Sequence, residues 1–226
     1  MTRRQTKTPQ APKRPQLNPK TDTQLEYMKA IRNWHQVIVL GPAGTGKTYI
    51  AATMAADLLM DKKITKIILT RPNVSAGKSI GFFPGSLEEK MAPWMAPVID
   101  VLKNRMDPVA YEAALKNGSI EIVPFETMRG RSFNDAFVIL DEAQNTAPNE
   151  MKMFLTRVGE NCRVIINGDI MQSDLRESSG LTKAIHMVKR YLLPVPIIEF
   201  QVKDIVRSDL CKAWIEAWIK EDRRHA

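Results

Sequence analysis

The chain is poor in the residues that build metal centres and disulfide frames, with two cysteines and three histidines among 226 residues. Cys162 and Cys211 lie far apart and read as reduced, buried thiols, and no His/Cys spacing fits a structural zinc site. No apolar run approaches the roughly 20 residues that a membrane-spanning helix needs. The basic N-terminus has no apolar stretch behind it, so a secretory signal is not expected and the cytoplasm is the default setting. Internal repeats are lacking. Acidic residues are missing from positions 1–20, which hold Arg3, Arg4, Lys7, Lys13, Arg14 and Lys20, four prolines and almost nothing apolar. This composition predicts a disordered basic arm. Electrostatic nucleic-acid binding and simple solubilisation are both open to it. The arm supplies +6 of the formal net charge of +8, which leaves about +2 for residues 21–226. The remainder is only mildly basic, a weak pull toward anionic partners.

What is present is an ordinary globular composition, 44% hydrophobic and 26% charged, long enough for one sizeable α/β domain. Its centre is Gln36–Thr48, QVIVLGPAGTGKT. Gln36–Leu40 reads as a buried strand, and Tyr49–Met60, rich in Ala, Leu and Met, as a helix. Between them lies G-x-x-x-x-G-K-[ST], in the strand–turn–helix context that a phosphate-binding loop requires. Gly41, Pro42, Ala43, Gly44, Thr45, Gly46, Lys47, Thr48 and Tyr49 are the nucleotide-binding candidates. The glycines let backbone N–H groups point at phosphate oxygens at the positive end of a helix. Lys47 would reach the β- and γ-phosphates of ATP, and the Thr48 hydroxyl would ligate Mg²⁺, the only metal expected here.

Other segments follow a βα rhythm. Thr23-x-x-Glu26 looks like a capping-box start for a helix carrying Gln24, whose amide could donate to and accept from one edge of adenine. Lys66–Thr70 is a second strand, ending in Arg71 on the side where open α/β sheets bind ligands. Residues 74–118 break the rhythm and read as a helical insertion. Ile120–Val123 is a third strand, followed by Arg129 and Arg131. Ala136–Leu140 is a fourth, ending in Asp141-Glu142-Ala-Gln144. Four apolar residues and two carboxylates make a Walker B pattern, in which Asp141 serves Mg²⁺ and Glu142 orients or deprotonates the attacking water. Arg163–Asn167 is a fifth strand, leading to Gly168-Asp169-Ile-Met-Gln172, where an amide could sense the γ-phosphate. Ile197–Phe200 is a sixth. A last helix places Leu210, Ala213, Trp214, Ala217 and Trp218 at core or interface spacing. For Arg207, just before it, the residues alone leave two readings open: a finger on transition-state charge, or a helix-start arginine in a surface ion pair.

Taken in order, these motifs resemble the PhoH family, phosphate-starvation-inducible P-loop ATPases related to superfamily-one helicase cores. The resemblance rests on Gln24, GPAGTGKTYIA (41–51), TRPNVSAGKSIGFFPGSLEEK (70–90), MRGRSFNDAFVILDEAQNT (128–146), MKMFLTRVG (151–159), NGDIMQSDL (167–175), SGL (179–181) and DIVRSDL (204–210). It implies a RecA-like, mainly parallel sheet with helices on both faces and nucleotide at the strand carboxyl ends. It also implies that Gln24 reads adenine, that Gln172 senses the γ-phosphate, and that Arg207 completes the ATPase site. Arg71, Arg129 and Arg131 fall in segments that run near single-stranded nucleic acid in related helicases. Such helicases hold ATP between two RecA-like domains, and this chain has length for one. A neighbouring subunit is therefore expected to supply Arg207, in a homo-oligomeric ring, a hexamer.

The function expected is Mg²⁺-dependent ATP hydrolysis coupled to binding, translocation on or unwinding of single-stranded RNA or DNA. The alternative is a nucleotide-gated switch with slow turnover that nucleic acid does not stimulate. A small-molecule kinase fits less well, since the DEAQ and GDxxQ segments argue against it.

Overall fold

The computed structural model describes residues 14–72, 87–170 and 179–225. Gln172 and residues 1–13 and 73–86 lie outside them. A single six-stranded sheet runs in the order β3-β2-β4-β5-β1-β6, and every pairing in it is parallel. The strands are β1 (Gln36–Leu40), β2 (Lys66–Thr70), β3 (Ile120–Ile122), β4 (Ala136–Leu140), β5 (Arg163–Gly168) and β6 (Ile197–Glu199). The four inner strands are covered on both faces, which is why QVIVL, KIILT, AFVIL and RVIING are nearly continuous apolar runs. One core lies under α1 (Asp22–Asn33), α2 (Lys47–Met60), α3 (Leu87–Met106) and α4 (Pro108–Lys116), around Tyr27, Ile50, Phe137 and Met95. The other lies under α5 (Pro148–Leu155) and α6 (Gly180–Tyr191), around Val138, Phe154, Ile166 and Leu181. This is the α/β, RecA-like architecture that the resemblance implies, with α3 and α4 as the helical insertion.

β5 lies between the phosphate-loop strand β1 and the Walker B strand β4. Gly168 is opposite Leu40, so β1 and β5 end level, and β4 ends two residues short of them, with Leu140 opposite Ile166. Their carboxyl ends form one ledge, and the candidate site lies on it.

Three local expectations change. The cap of α1 is Thr21, whose Oγ1 accepts from Gln24 N–H at 3.2 Å, so the helix starts ahead of Thr23. The basic stretch 1–20 divides, because Arg14–Lys20 lie against the body. Arg14 pairs with Asp57 and Asp61, and Leu17 packs on the core. The last helix, α7 (Asp209–His225), carries its apolar stripe outward: Leu210, Trp214 and Trp218 are 71%, 61% and 63% exposed. No other helix or strand among the described residues packs along it, so the stripe is not core among the described residues, and Cys211 on the same helix is exposed rather than buried.

Candidate nucleotide site

β1 delivers the loop Gly41–Gly46 to the ledge, and α2 starts at Lys47. The loop folds tightly because Thr45, fully buried, donates its hydroxyl to Pro42 O at 3.0 Å. Gly46 caps α2 in the left-handed region, φ 90°, where a side chain would be strained and would meet Gln24 Nε2 at 3.0 Å. Gln24 is buried beneath the loop. Its Nε2 donates to Thr45 O at 2.9 Å, and its Oε1 accepts from Lys20 N–H at 2.8 Å. The amide thus buttresses the phosphate loop from α1 while lining the cleft.

Lys47 Nζ donates to the carbonyls of Pro42 (2.9 Å) and Gly41 (2.5 Å), curled over its own loop. Burial pushes its pKa below the usual lysine value, against the opposing pull of Asp169, Asp141 and Glu142. Asp141 is shifted upward by burial first and by Glu142 second, while Arg71 and Lys47 pull it down. Thr48 Oγ1 lies 3.4 Å from both Asp141 carboxylate oxygens. A hydroxyl and a carboxylate from two elements are hard oxygen donors suited to Mg²⁺, which would complete its shell with phosphate oxygens and waters. Among the described residues no cluster of three His, Cys, Asp or Glu could hold a metal by itself. The pair therefore fits a cation that arrives with a nucleotide.

Glu142 occupies the left-handed region, φ 53° and ψ 39°, a conformation that costs a non-glycine residue about 1–2 kcal/mol. Its carboxylate accepts from Gln144 Nε2 at 2.6 Å. Sequence reasoning assigned Gln144 no role, although it stands in the matched DEAQ segment.

Arg207 joins the site from its own chain. β6 pairs with β1, and Asp204 accepts the Gln201 N–H at 2.9 Å to fix the turn Val202–Asp204. Val206 N–H then reaches Gly44 O at 3.0 Å. The Arg207 side chain lies on Gly44 so closely that a Cβ there would come 2.8 Å from its Cγ. Arg207 makes no ion pair with a described residue. The structure thus brings Arg207 to the phosphate loop of its own chain, where the resemblance implies one from a neighbouring subunit.

The three arginines assigned to nucleic acid separate. Arg71 acts electrostatically on Asp141 and donates to Trp94 O of α3 at 3.3 Å, which places it beside the nucleotide site. Arg131 is paired with Glu121 at 2.6 Å; burial raises that carboxyl, and Lys66 and Arg131 bring it below its usual value. Arg129 is exposed.

The groups surround a cleft of about 860 Å³. Its floor is the phosphate loop with Asp141, Glu142, Gly168 and Asp169, and its far wall is Pro15, Leu17, Val101 and Arg105. Sequence reasoning missed that wall. Arg105 of α3 forks onto both oxygens of Asp57 of α2 at 2.8 Å and donates to Pro15 O at 2.5 Å.

Comparison with known proteins agrees with the motifs. The "PhoH-like protein" family model matches residues 16–219. A PhoH-like protein of Bacillus subtilis (strain 168) is 46% identical over 205 residues, covering 90% of this chain and 64% of that protein. Protein PhoH of Escherichia coli (strain K12) is 45% identical over 203 residues, covering 88% and 57%. The chain thus spans about three-fifths of the length of these relatives. Among solved structures, a Pif1 helicase from Candida albicans aligns with a TM-score of 0.42 and 13% identity, over 82% of this chain and 40% of that one. With its phosphate loop, its Walker B strand and a family match over residues 16–219, the chain is a nucleotide-binding P-loop protein and belongs to the PhoH family.

Proposed function

We propose that this chain is a Mg²⁺-dependent ATPase whose turnover is coupled to binding and movement on single-stranded RNA or DNA. One observation carries the reading. Lys47, Thr48, Asp141, Glu142 and Arg207 line one cleft, with the Glu142 carboxylate held by Gln144.

In that reading ATP lies with its phosphates in the loop Gly41–Thr48 and its base toward the wall of residues 15–20, near Gln24. Lys47 exchanges the Gly41 and Pro42 carbonyls for β- and γ-phosphate oxygens. Thr48 and Asp141 would hold Mg²⁺, which would supply positive charge to neutralise those oxygens. Glu142 orients a water and accepts its proton as the water oxygen bonds to the γ-phosphorus, while the bond to the β,γ-bridging oxygen breaks and ADP departs. Arg207, above Gly44, stabilises charge spreading over the γ-oxygens. The nucleic-acid half rests on the mild positive charge, the basic stretch 1–13, exposed Arg129 and the family resemblance.

The test is steady-state ATP hydrolysis at low salt, with and without single-stranded RNA and DNA. Lys47→Ala is expected to lose both binding and turnover. Glu142→Gln should retain nucleotide and lose at least about 100-fold in kcat. Full turnover by Glu142→Gln refutes the hydrolytic assignment. Turnover that neither polymer stimulates refutes the coupling and favours a nucleotide-gated switch.

A further inference from the structure

We infer that Gln144 is a positioning residue for hydrolysis: its side-chain amide clamps the Glu142 carboxylate to the end of β5. The inference rests on the ATPase reading, in which Glu142 handles the attacking water.

Gln144 stands on the 3₁₀ turn Ala143–Asn145 that follows β4 and is 1% exposed. Its Nε2 donates to Glu142 Oε2 at 2.6 Å, and its Oε1 accepts from the backbone N–H of Asp169 at 3.0 Å. The two ends of an amide are chemically unlike. A carboxylate can only accept and a backbone N–H can only donate, so the partners themselves fix which way the amide points. The shorter of the two bonds has the length of a charge-assisted one. One carboxylate oxygen is taken up, and the other remains for a water.

The clamp is built into close packing. A Cβ on Gly168 would approach Gln144 Oε1 to 3.1 Å and Leu181 Cδ2 to 2.4 Å, so the amide fills its space. Gly168 O also accepts from Gly41 N–H at 3.3 Å. Gln144 therefore joins two strand ends, holding the carboxylate that follows β4 on the tip of β5, and β5 is itself bonded through Gly168 to the start of the phosphate loop after β1. Glu142 needs such a clamp. Its left-handed backbone aims the side chain but leaves its χ angles free, and general-base geometry tolerates little displacement.

A mere space-filling role makes different predictions. Gln144→Glu keeps an oxygen for the Asp169 N–H but sets a second carboxylate against Glu142. Gln144→Met fills the volume and makes neither bond. Positioning predicts that both variants lose about 10- to 100-fold in kcat, while a fluorescent ATP analogue binds within about threefold of wild type and Tm stays high enough for assay. It also predicts that Gln144→Met adds less than about twofold to the loss already caused by Glu142→Gln, measured in single turnovers. Wild-type turnover by Gln144→Glu, or a loss that adds fully to that of Glu142→Gln, overturns the inference and leaves the ATPase intact. Failure of the wild-type protein to hydrolyse ATP overturns the ATPase reading, and this inference falls with it. Should Gln144→Met not fold, Gln144→Glu, which retains the Asp169 tether, decides the matter alone.

Discussion

Removing the Arg105 guanidinium measures how firmly the wall of the cleft is held. Arg105 is 14% exposed and meets both oxygens of Asp57 at 2.8 Å, with Asp57 itself 28% exposed. Its third bond, to Pro15 O, ties residues 14–20 to α3. Exposed ion pairs contribute about 0–1 kcal/mol, and hydrogen bonds to charged groups shielded from water about 1.5–3 kcal/mol. A two-pronged, half-shielded pair falls between them, so Arg105→Met should lose about 1–2 kcal/mol. In a domain of this size that is roughly 2–8 °C in Tm. Arg131→Met supplies the contrast. Its arginine is 43% exposed and Glu121 keeps Lys66, so the expected loss is within about 0.5 kcal/mol. Urea unfolding of Arg105→Met, Asp57→Asn and their double variant would give the coupling energy directly. Because Arg105 and Pro15 line the cleft, binding of a fluorescent ATP analogue should weaken in parallel. Destabilisation no greater than that of Arg131→Met, together with unchanged nucleotide affinity, would refute the reasoning.

Two further perturbations test the charges. Asp141 titrates above the usual carboxylate value because it is buried and faces Glu142. Such a group favours folding fully only below its unfolded pKa, and that contribution is lost as pH rises through the folded one. The charged Asp141 therefore opposes folding at neutral pH. Asp141→Asn should raise the Tm of nucleotide-free protein at pH 7, with the gain shrinking toward about pH 4, and should lose stabilisation by Mg²⁺-ATP; an Asn variant less stable at pH 7 contradicts this. Deleting residues 1–13 removes four of the arm's six cations. The salt dependence of single-stranded nucleic-acid binding should then flatten by about 0.7 for each phosphate that the arm no longer neutralises, with ATP turnover intact. Deleting through Lys20 should in addition cut nucleotide affinity, because Lys20 N–H holds Gln24 and Pro15 and Leu17 line the cleft. An unchanged salt slope counts against the first outcome, and unchanged affinity against the second.

The phosphate loop and the Walker B acids were legible because their chemistry is contiguous in the chain. Strands buried on both faces leave unbroken apolar runs, so β1, β4 and β5 were legible within a residue or so at their ends. Distant pairings leave no such trace. Arg105 and Asp57 are separated by 48 positions and look like ordinary surface charges of two helices until α3 packs on α2. Gln144 was visible as a letter in DEAQ, but its use depends on β5 lying beside β4, a strand order that no local pattern encodes. The α7 stripe shows the opposite limit. Helical periodicity of Leu210, Trp214 and Trp218 marks a face meant for apolar contact, and it is silent on whether the same chain provides that contact.

Arg207 shows how strand order decides a functional argument that counting domains cannot. By domain count, a single RecA-like unit lacks the arginine that a second unit brings, and a ring of subunits follows from that shortage. The chain meets the shortage internally, because β6 adds to the free edge of β1, the strand that carries the phosphate loop. The six residues after β6 then have only to turn once, at Val202–Asp204, before Val206 bonds to Gly44 O. That bond, and not α7, sets where Arg207 lies, since α7 starts two residues later and packs along no other described element. Phosphate loop, carboxylates and arginine therefore meet at the ends of one sheet, and the proposed ATPase reading draws all of them from a single chain.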